Sequence, residues 1–178
     1  MTVSPIYTQA PTQGLDETQQ IVFDTLAELH IPFERVEHDW ANTMEDCKAV
    51  SAVLGVDVCK NLVLCNRQKT QFTLLIMPGA KPFRTKDLSA QLGCSRLSFA
   101  DAEHMQQYLC VTPGSVSVLG LLNDTEKHVR LVIDRDVLGP DWFGCHPCRN
   151  TSSLRIATAD LTGKILPALR HEPTYVSL

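Results

Sequence analysis

Apolar positions along the chain alternate between a helical and a strand-like spacing. The first helical stripe, on which Val22 and Leu26 lie one turn apart, ends at Ile31-Pro32, because proline disfavours helix in the residue before it. Helices are predicted for residues 15–30, 43–54, 85–92, 101–109 and 159–169, and strands for residues 33–37, 56–65, 71–77, 97–99, 129–134 and 154–157. Because these elements are interspersed without a regular βαβ period, the pattern predicts a compact α+β domain with packed helices and a mixed, mostly antiparallel sheet.

Local signals sharpen several of these boundaries. Thr43 followed by Asp46 resembles a capping box, and Gly55 supplies the stop of the same helix. The strands 56–65 and 71–77 are joined by the polar turn 66–69, which predicts a hairpin. Gly93 closes the helix 85–92, and Asp101 is placed to cap the next one.

Length and charge limit the classes of function. A chain of 178 residues is expected to form one domain, here residues 15–178, preceded by a flexible lead-in of residues 1–14 that is rich in Thr, Gln, Pro and Ser. The net charge is −4, so bulk coating of nucleic acid is excluded and any RNA contact requires a local basic patch. Residues 1–14 carry no secretory signal, and no apolar run could span a bilayer, so we expect a cytoplasmic protein without a membrane partner.

Seven cysteines in a chain without an export signal indicate reduced thiols. Two of them form the motif Cys145-His146-Pro147-Cys148, which is compatible with a redox pair or with half of a zinc site. A redox motif is expected to open a helix early in the chain, and a zinc site needs further paired ligands that this sequence does not supply. A thiol or zinc protein is therefore the less favoured alternative.

Lys60 interrupts the nearly apolar run 56–65, on the same predicted face as Leu62 and Leu64. A lysine in that position either extends its amine to solvent or meets an anion in a cleft, and both interpretations stay open. Asn61 follows on the opposite face, so it reaches the same cleft only if the strand bends or if it acts through a neighbouring group.

The segment Thr112-Pro113-Gly114-Ser115-Val116 has turn chemistry in which Gly114 can adopt a positive φ. Such a turn is either a plain surface turn or a nest of backbone N–H groups for a carbonyl or phosphate oxygen. The apolar continuation, residues 116–122, predicts that the loop is packed against the core.

The second interpretation of the Cys-x-x-Cys motif centres on His146, which Pro147 holds in an extended backbone. An imidazole presented in this way can donate to a phosphate or hydroxyl, or can orient a water molecule. Asn150 and Thr151 either bind the ligand or cap the entry to the next strand. The remaining histidines lie beside polar positions and are expected at the surface: His30, His38, His104, His128 and His171.

One short stretch concentrates positive charge. Lys81, Arg84 and Lys86 lie within six residues of one another, directly after a predicted strand. This cluster is either ordinary solvated surface or the edge that RNA phosphates would cross.

Taken in order, these motifs resemble the YbaK/ProX-type aminoacyl-tRNA deacylases, and within them the free-standing branch that removes alanine from mischarged tRNA(Pro). The resemblance covers roughly residues 17–170 and is carried by the segments 60–62, 79–88, 112–117, 121–124 and 144–151. Val118 departs from the pattern, because the family loop commonly has a proline there, four residues after Gly114.

The resemblance implies a compact α+β fold with a cleft for the 3′-terminal aminoacyl-adenosine of a tRNA. It implies Lys60 as the key residue, supported by Asn61 and His146, with the loop at Gly114, Ser115 and Val116 holding the ester. No metal and no organic cofactor are implied. The implied partner is the acceptor end of an aminoacyl-tRNA, tRNA(Pro) above all, with a transient contact to a synthetase as a further expectation. A non-catalytic binder of tRNA ends on the same fold is the alternative.

Overall fold

The computed structural model describes residues 1–41 and 43–178, with Met44 described by its backbone alone. Its helices are α1 (Glu17–Glu28), α2 (Met44–Leu54), α3 (Thr85–Leu92), α4 (Ala102–Leu109), α5 (Thr158–Asp160) and α6 (Leu166–Leu169). Its strands are β1 (Phe33–Glu37), β2 (Lys60–Cys65), β3 (Phe72–Met77), β4 (Ser98–Phe99), β5 (Val129–Asp134), β6 (Trp142–Cys145), β7 (Ser152–Ala157) and β8 (Thr174–Val176). The predicted α+β class is confirmed.

The strands form two sheets where the sequence predicted one. The first is antiparallel with the order β1-β7-β6, and the second is mixed with the order β4-β2-β3-β5-β8. In the second sheet the β2–β3 hairpin and the β2–β4 pair are antiparallel, whereas β3–β5 and β5–β8 are parallel. The division was not evident because β6 and β8 are short strands that follow Pro140 and Pro173, and neither was predicted.

The helix ends follow the predicted capping. Thr43 and Asp46 form the reciprocal capping box of α2, and Gly55 ends that helix with φ of 71°. Gly93 ends α3 with φ of 63°, and the Asp101 carboxylate accepts from the backbone N–H of His104 at the start of α4. The predicted last helix is instead interrupted by a π-helical turn, Leu161–Ile165, between α5 and α6.

The N-terminal segment, expected to be a flexible lead-in, is placed along β1. Val3 forms an antiparallel bridge with His38, and Tyr7 forms one with Arg35. The backbone N–H of Ser4 donates to the Glu37 carbonyl at 2.8 Å. These bonds satisfy the outer edge of β1, which would otherwise present unpaired backbone groups to solvent.

Three apolar clusters organise the core. The largest fills the space between the two sheets and includes Val63, Ile76, Cys145 and Leu154. A second cluster covers the other face of the larger sheet beneath α3, and a third joins β1 to α2. Among the described residues, no helix is long and apolar enough to cross a membrane.

Candidate active site

A backbone contact joins the two sheets where the chain enters β2. The backbone N–H of Cys59 donates to the Gly144 carbonyl at 2.9 Å, and Val58 forms a parallel bridge with Gly144. Both Gly79 and Gly144 lie against this segment so closely that a Cβ on either would meet backbone. The added Cβ would lie 2.5 Å from the Val58 carbonyl oxygen at Gly79 and 2.6 Å from the Asp57 carbonyl oxygen at Gly144. The absence of side chains at these two glycines therefore permits the junction.

The junction sets the relation between Lys60 and His146. Continuing the parallel register from Val58 and Gly144 by two residues brings the chain to Lys60 on one side and His146 on the other. Residues opposite each other in a parallel pair project to the same face, and alternate residues share a face. Cys59 and Cys145 accordingly belong to the core between the sheets. By the same alternation, Lys60 is expected on the face opposite Cys59, and His146 on the face opposite Cys145.

The ammonium group of Lys60 is half-buried and donates to the Lys81 carbonyl at 2.8 Å. Among the described residues no carboxylate forms an ion pair with it. The remaining N–H donors of this ammonium are therefore available to an anion. A positive charge that is partly withdrawn from water and has no acidic partner favours binding of a phosphate or a developing oxyanion.

Asn61 lies on the other face of β2. It pairs in register with Ile76 of the core between the sheets, whereas Lys60 pairs with Met77 of the cluster beneath α3. The Asn61 amide nitrogen donates to the Cys59 carbonyl at 3.0 Å. Its Oδ1 is buried without a hydrogen-bond partner among the described residues. Asn61 thus supports the backbone at the junction and does not project with Lys60.

The Nδ1 atom of His146 forms a hydrogen bond to backbone. Its Nδ1 lies 3.0 Å from the Ser152 carbonyl, which can only accept, so Nδ1 carries the proton. Burial lowers the pKa of His146, and this effect outweighs the opposing effect of the Ser152 carbonyl. The ring is therefore neutral at pH 7. Its Nε2 has no hydrogen-bond partner in the described part of the chain and can accept a proton from water or a hydroxyl group.

Gly114 and Asn150 are in contact at the rim of this region. Gly114 has φ of 86°, as its turn chemistry predicts, and a Cβ there would lie 2.8 Å from the Asn150 Nδ2 and 3.8 Å from the Trp40 ring. The Asn150 side chain is buried, accepts from the Ala41 N–H at 3.0 Å and donates to the Ala41 carbonyl at 3.1 Å. Asn150 thus clamps the Trp40-Ala41 segment beside Gly114, a role different from capping the entry to the next strand.

The remaining residues of the predicted loop pack inward, as expected. Ser115 is buried, with its N–H donating to the Thr112 carbonyl at 2.9 Å and its hydroxyl 3.2 Å from that of Thr112. Val116 belongs to the core between the sheets. Thr112, Pro113 and Gly114 are exposed, whereas Ser115 and Val116 pack inward beneath them.

Thr151 borders a separate cleft of about 610 Å³ between the N-terminal segment and β1. Its carbonyl accepts from the His38 N–H at 2.9 Å, so its backbone belongs to the sheet edge. Arg35 and Arg149 line the same cleft, where Arg35 is paired with Glu37 and Arg149 donates to Gln19. Thr151 thus follows Asn150 directly in the chain and borders this second cleft.

The basic cluster is distributed unevenly. The Lys81 ammonium lies 2.7 Å from both the Asp134 and Asp136 carboxylates, and Arg84 pairs with Asp87 at 2.8 Å. Lys86 is exposed and has no ion pair among the described residues. Lys81 is therefore neutralised by two acids, and its connection to the site runs through its carbonyl, which holds Lys60.

The chain matches the family described as aminoacyl-tRNA editing domain over residues 38–163. The chain belongs to this family. Editing by such a domain hydrolyses the ester between an amino acid and a tRNA, so the chain is an aminoacyl-tRNA deacylase. The matched region contains Lys60, Gly114 and His146, the residues that the geometry singles out.

Two curated proteins that are similar to this editing domain in sequence carry names that refer to prolyl-tRNA or its synthetase. The chain is 32% identical over 146 residues to the prolyl-tRNA editing protein ProX of Acetoanaerobium sticklandii, covering 82% of this chain and 88% of that one. It is 33% identical over 155 residues to the prolyl-tRNA synthetase associated domain-containing protein 1 of Danio rerio, covering 85% and 83%. A solved structure described as a candidate trans-editing enzyme for prolyl tRNA synthetase has the same fold, with a TM-score of 0.67, 16% identity and coverage of 93% and 99%.

The Cys-x-x-Cys thiols of this editing domain are enclosed. Cys145 and Cys148 are buried, and burial raises the pKa of both thiols well above the usual value. Burial also raises the pKa of Cys59 to about 12. Thiols in such surroundings are poor nucleophiles and poor metal ligands, since both roles require the thiolate. Within the described residues, no group of three or more His, Cys, Asp and Glu side chains is arranged to hold a metal ion.

Two histidines expected at the surface are buried in the editing domain, and those predictions were wrong. His171 is 6% exposed and bonds to the Asp124 carboxylate at 3.0 Å, and His38 is 7% exposed. His38 follows Val36 by two residues, so the strand alternation places both on the buried side, a signal the sequence contained. Its Nε2 lies 2.9 Å from the Ser153 hydroxyl, close to His146.

Proposed function

We propose that this deacylase acts in trans on tRNA(Pro) that has been mischarged with alanine. The observation behind the proposal is the Val58–Gly144 bridge. Two residues beyond it along the chain lie Lys60, whose ammonium has no ion pair among the described residues, and His146, whose imidazole is neutral. Two curated relatives, one named as a prolyl-tRNA editing protein and one as a prolyl-tRNA synthetase associated protein, support tRNA(Pro) as the carrier.

The reaction needs positioning and charge stabilisation more than a strong nucleophile, because an aminoacyl ester is already activated. A water molecule adds to the ester carbonyl, and the carbon–oxygen bond to the terminal ribose breaks. Lys60 binds the terminal phosphate or the developing oxyanion, and backbone N–H groups at Gly114 hold the carbonyl oxygen.

Proton movement is assigned to His146 and to the substrate. The unprotonated Nε2 of His146 accepts a hydrogen bond from the attacking water or from the ribose 2′-hydroxyl. The 2′-hydroxyl relays the proton from the water to the departing 3′-oxygen, so the free amino acid and the intact tRNA are the products. Asn61 contributes indirectly, because its amide group holds the Cys59 carbonyl at the junction.

Discrimination is expected in two stages. Selection for a small side chain requires a tight pocket beside the Gly114 loop, but one methylene group changes rates by only about 10- to 200-fold. Recognition of tRNA identity supplies the rest. We expect the exposed Lys86, together with Arg84, which is paired with Asp87, to contact tRNA phosphates, and Lys81 to contribute through the carbonyl that holds Lys60. A transient contact with a synthetase stays a prediction.

A deacylation panel tests the proposal. Alanyl-, cysteinyl-, seryl- and prolyl-tRNA(Pro) are incubated with the protein, with alanyl-tRNA(Ala) as the matched control for tRNA identity. We expect the fastest hydrolysis for alanyl-tRNA(Pro) and slow hydrolysis for prolyl-tRNA(Pro) and alanyl-tRNA(Ala). Faster release of another amino acid would replace alanine as the substrate. Binding of all these tRNAs without turnover would instead indicate a non-catalytic binder of tRNA ends.

A further inference from the structure

His146, which is partly buried, is connected to the buried His38 through one hydroxyl group. The Ser153 Oγ lies 2.9 Å from the His38 Nε2 and 3.4 Å from the His146 Nδ1. The two imidazole rings have centroids 6.4 Å apart. Ser153 is fully enclosed and His38 is 7% exposed, so water does not compete freely for these bonds.

The directions of the hydrogen bonds from His38 through Ser153 to His146 follow from the bond that His38 makes to backbone. The His38 Nδ1 lies 2.8 Å from the Asp39 carbonyl, which only accepts, so His38 carries its proton on Nδ1. In the neutral ring, Nε2 is then an acceptor, and the Ser153 hydroxyl must donate to it. With its only proton used on His38, the Ser153 oxygen faces the His146 Nδ1–H with its lone pairs.

These hydrogen-bond directions surround the His146 Nδ1–H with acceptors. The His146 Nδ1–H is shared between the Ser152 carbonyl at 3.0 Å and the Ser153 oxygen at 3.4 Å. Both groups accept, so a proton on Nδ1 is favoured and a lone pair on Nδ1 is disfavoured. Nε2 is consequently left unprotonated, which is the state in which it can accept from water or a ribose hydroxyl.

We propose that His38 is a positioning residue for His146, acting through the Ser153 hydroxyl to fix the tautomer and the orientation of the His146 ring. The inference rests on the proposed function of His146. His38 itself does not touch the substrate. Outer groups of this kind typically change activity by roughly 10- to 100-fold when they are removed, as partners of metal-bound histidines do.

Kinetic tests compare a disruptive and a conservative change at His38. His38→Leu removes the acceptor for Ser153, whereas His38→Gln keeps an acceptor oxygen near the position of Nε2. We expect His38→Leu and Ser153→Ala to lower kcat roughly 10- to 100-fold with KM little changed, and His38→Gln to recover most of the loss. A KM increase at constant kcat, or equal losses for His38→Leu and His38→Gln, would overturn the inference.

The tautomers can be read without any activity. At 19.8 kDa the full chain is accessible to long-range nitrogen–proton correlation NMR of its histidines. We expect His146 and His38 in the wild type both to be Nδ1-protonated, and the Nε2-protonated form of His146 to gain population in Ser153→Ala. An Nε2-protonated His146 in the wild type would overturn the inference even if the variants fail to fold. An inactive wild type with the expected tautomers would overturn the proposed function alone.

Discussion

The backbone N–H of Cys59 donates to the carbonyl oxygen of Gly144 at 2.9 Å, and this bond joins the two sheets at the site. Each partner is followed within two residues by a candidate catalytic side chain: Lys60, which begins β2, and His146, which directly follows β6. The fold thus sets an ammonium and an imidazole relative to each other through backbone, which is more rigid than a contact between long side chains.

Lys60→Ala tests the ammonium. The lost charge stabilisation of the phosphate or oxyanion should lower kcat for alanyl-tRNA(Pro) by roughly 10²–10³. Arg67→Ala is the matched control, because Arg67 is an exposed cation in the turn at the opposite end of the β2–β3 hairpin. Single-turnover deacylation measures both. Wild-type turnover by the Lys60 variant would remove Lys60 from the mechanism.

Gly144→Ala tests the junction itself. The new Cβ would lie 2.6 Å from the Asp57 carbonyl oxygen and 3.0 Å from the Val58 Cα, so backbone must move. Such overpacking costs about 1–3 kcal/mol, and each 1 kcal/mol lowers Tm by about 2–4 °C in a chain of this size. Deacylation should fall as well, because Lys60 moves with the strand.

Gly163→Ala is the control for that change, since a Cβ at Gly163 meets nothing within 4 Å. Thermal unfolding of both variants makes the comparison. Equal Tm values for the two variants would show that the close approach at Gly144 does not govern the junction.

The sequence predicted the parts of the fold that local chemistry controls. The capping box at Thr43, the stops at Gly55 and Gly93, and the β2–β3 hairpin depend on neighbouring residues, and all four are present. The split into two sheets depends on β6, a four-residue strand that contains Gly144 and pairs with the next strand, β7. Propensity alone does not reveal such a strand.

In the site, too, locally determined features were predicted and features that depend on distant residues were not. The alternation along β2 correctly separates Lys60 from Asn61, and turn chemistry correctly gives Gly114 a positive φ. The ion pairs that Lys81 makes with Asp134 and Asp136 join residues more than fifty positions apart, so the charge pattern 81–86 appeared more uniform than it is. The burial of His38 was also a tertiary effect, although its alternation with Val36 pointed to it.

Val118→Pro tests the departure from the resembled family, in which this position is commonly proline. Ser117 has φ of −146° and ψ of 153°, the extended conformation that a residue before proline prefers. Val118 opens a 3₁₀ helix, and its N–H has no partner among the described residues. We therefore expect a stability change within about 1.5 kcal/mol, the range of volume-conserving core changes.

Leu119→Pro is the contrasting variant, one position further on. The Leu119 N–H donates to the Ser117 hydroxyl at 3.2 Å, and that bond would be lost in a buried segment. A loss of about 3 kcal/mol or more is expected, as for proline within a helix. Thermal unfolding and the deacylation panel check both variants; similar losses would mean that the loop does not accept proline at Val118.

Cys145→Ser combined with Cys148→Ser tests the thiol and zinc alternative. Because burial raises the pKa of both thiols, neither is a thiolate at neutral pH, and deacylation and zinc content should not change. Stability should fall by about 1–3 kcal/mol, since hydroxyl groups are buried in place of thiols. A native thiol titration should modify the exposed Cys47, Cys94 and Cys110 first. Loss of activity together with loss of bound zinc would favour a metal site.

The pH dependence of deacylation tests the protonation state of His146. Burial lowers the pKa of His146 below the usual 6.5, so the acid limb of kcat/KM should lie below pH 6.5 and activity should be level through neutral pH. The stabilising contribution of the neutral ring is present above pH 6.5 and is lost as the pH falls toward the lowered pKa, because the unfolded chain binds the proton more readily.

The His146→Gln side chain does not titrate. This variant should therefore lose the effect of His146 on the pH dependence of activity and on the pH dependence of stability. The acid limb due to His146 should disappear from the residual activity, and the fall in unfolding free energy below pH 6.5 should become shallower than in the wild type. Initial rates and urea unfolding between pH 5 and pH 8, at one ionic strength, provide both measurements at roughly the range where histidine titrates. An acid limb centred at or above pH 6.5 in the wild type would contradict a buried, neutral His146 and would require another group to set the activity.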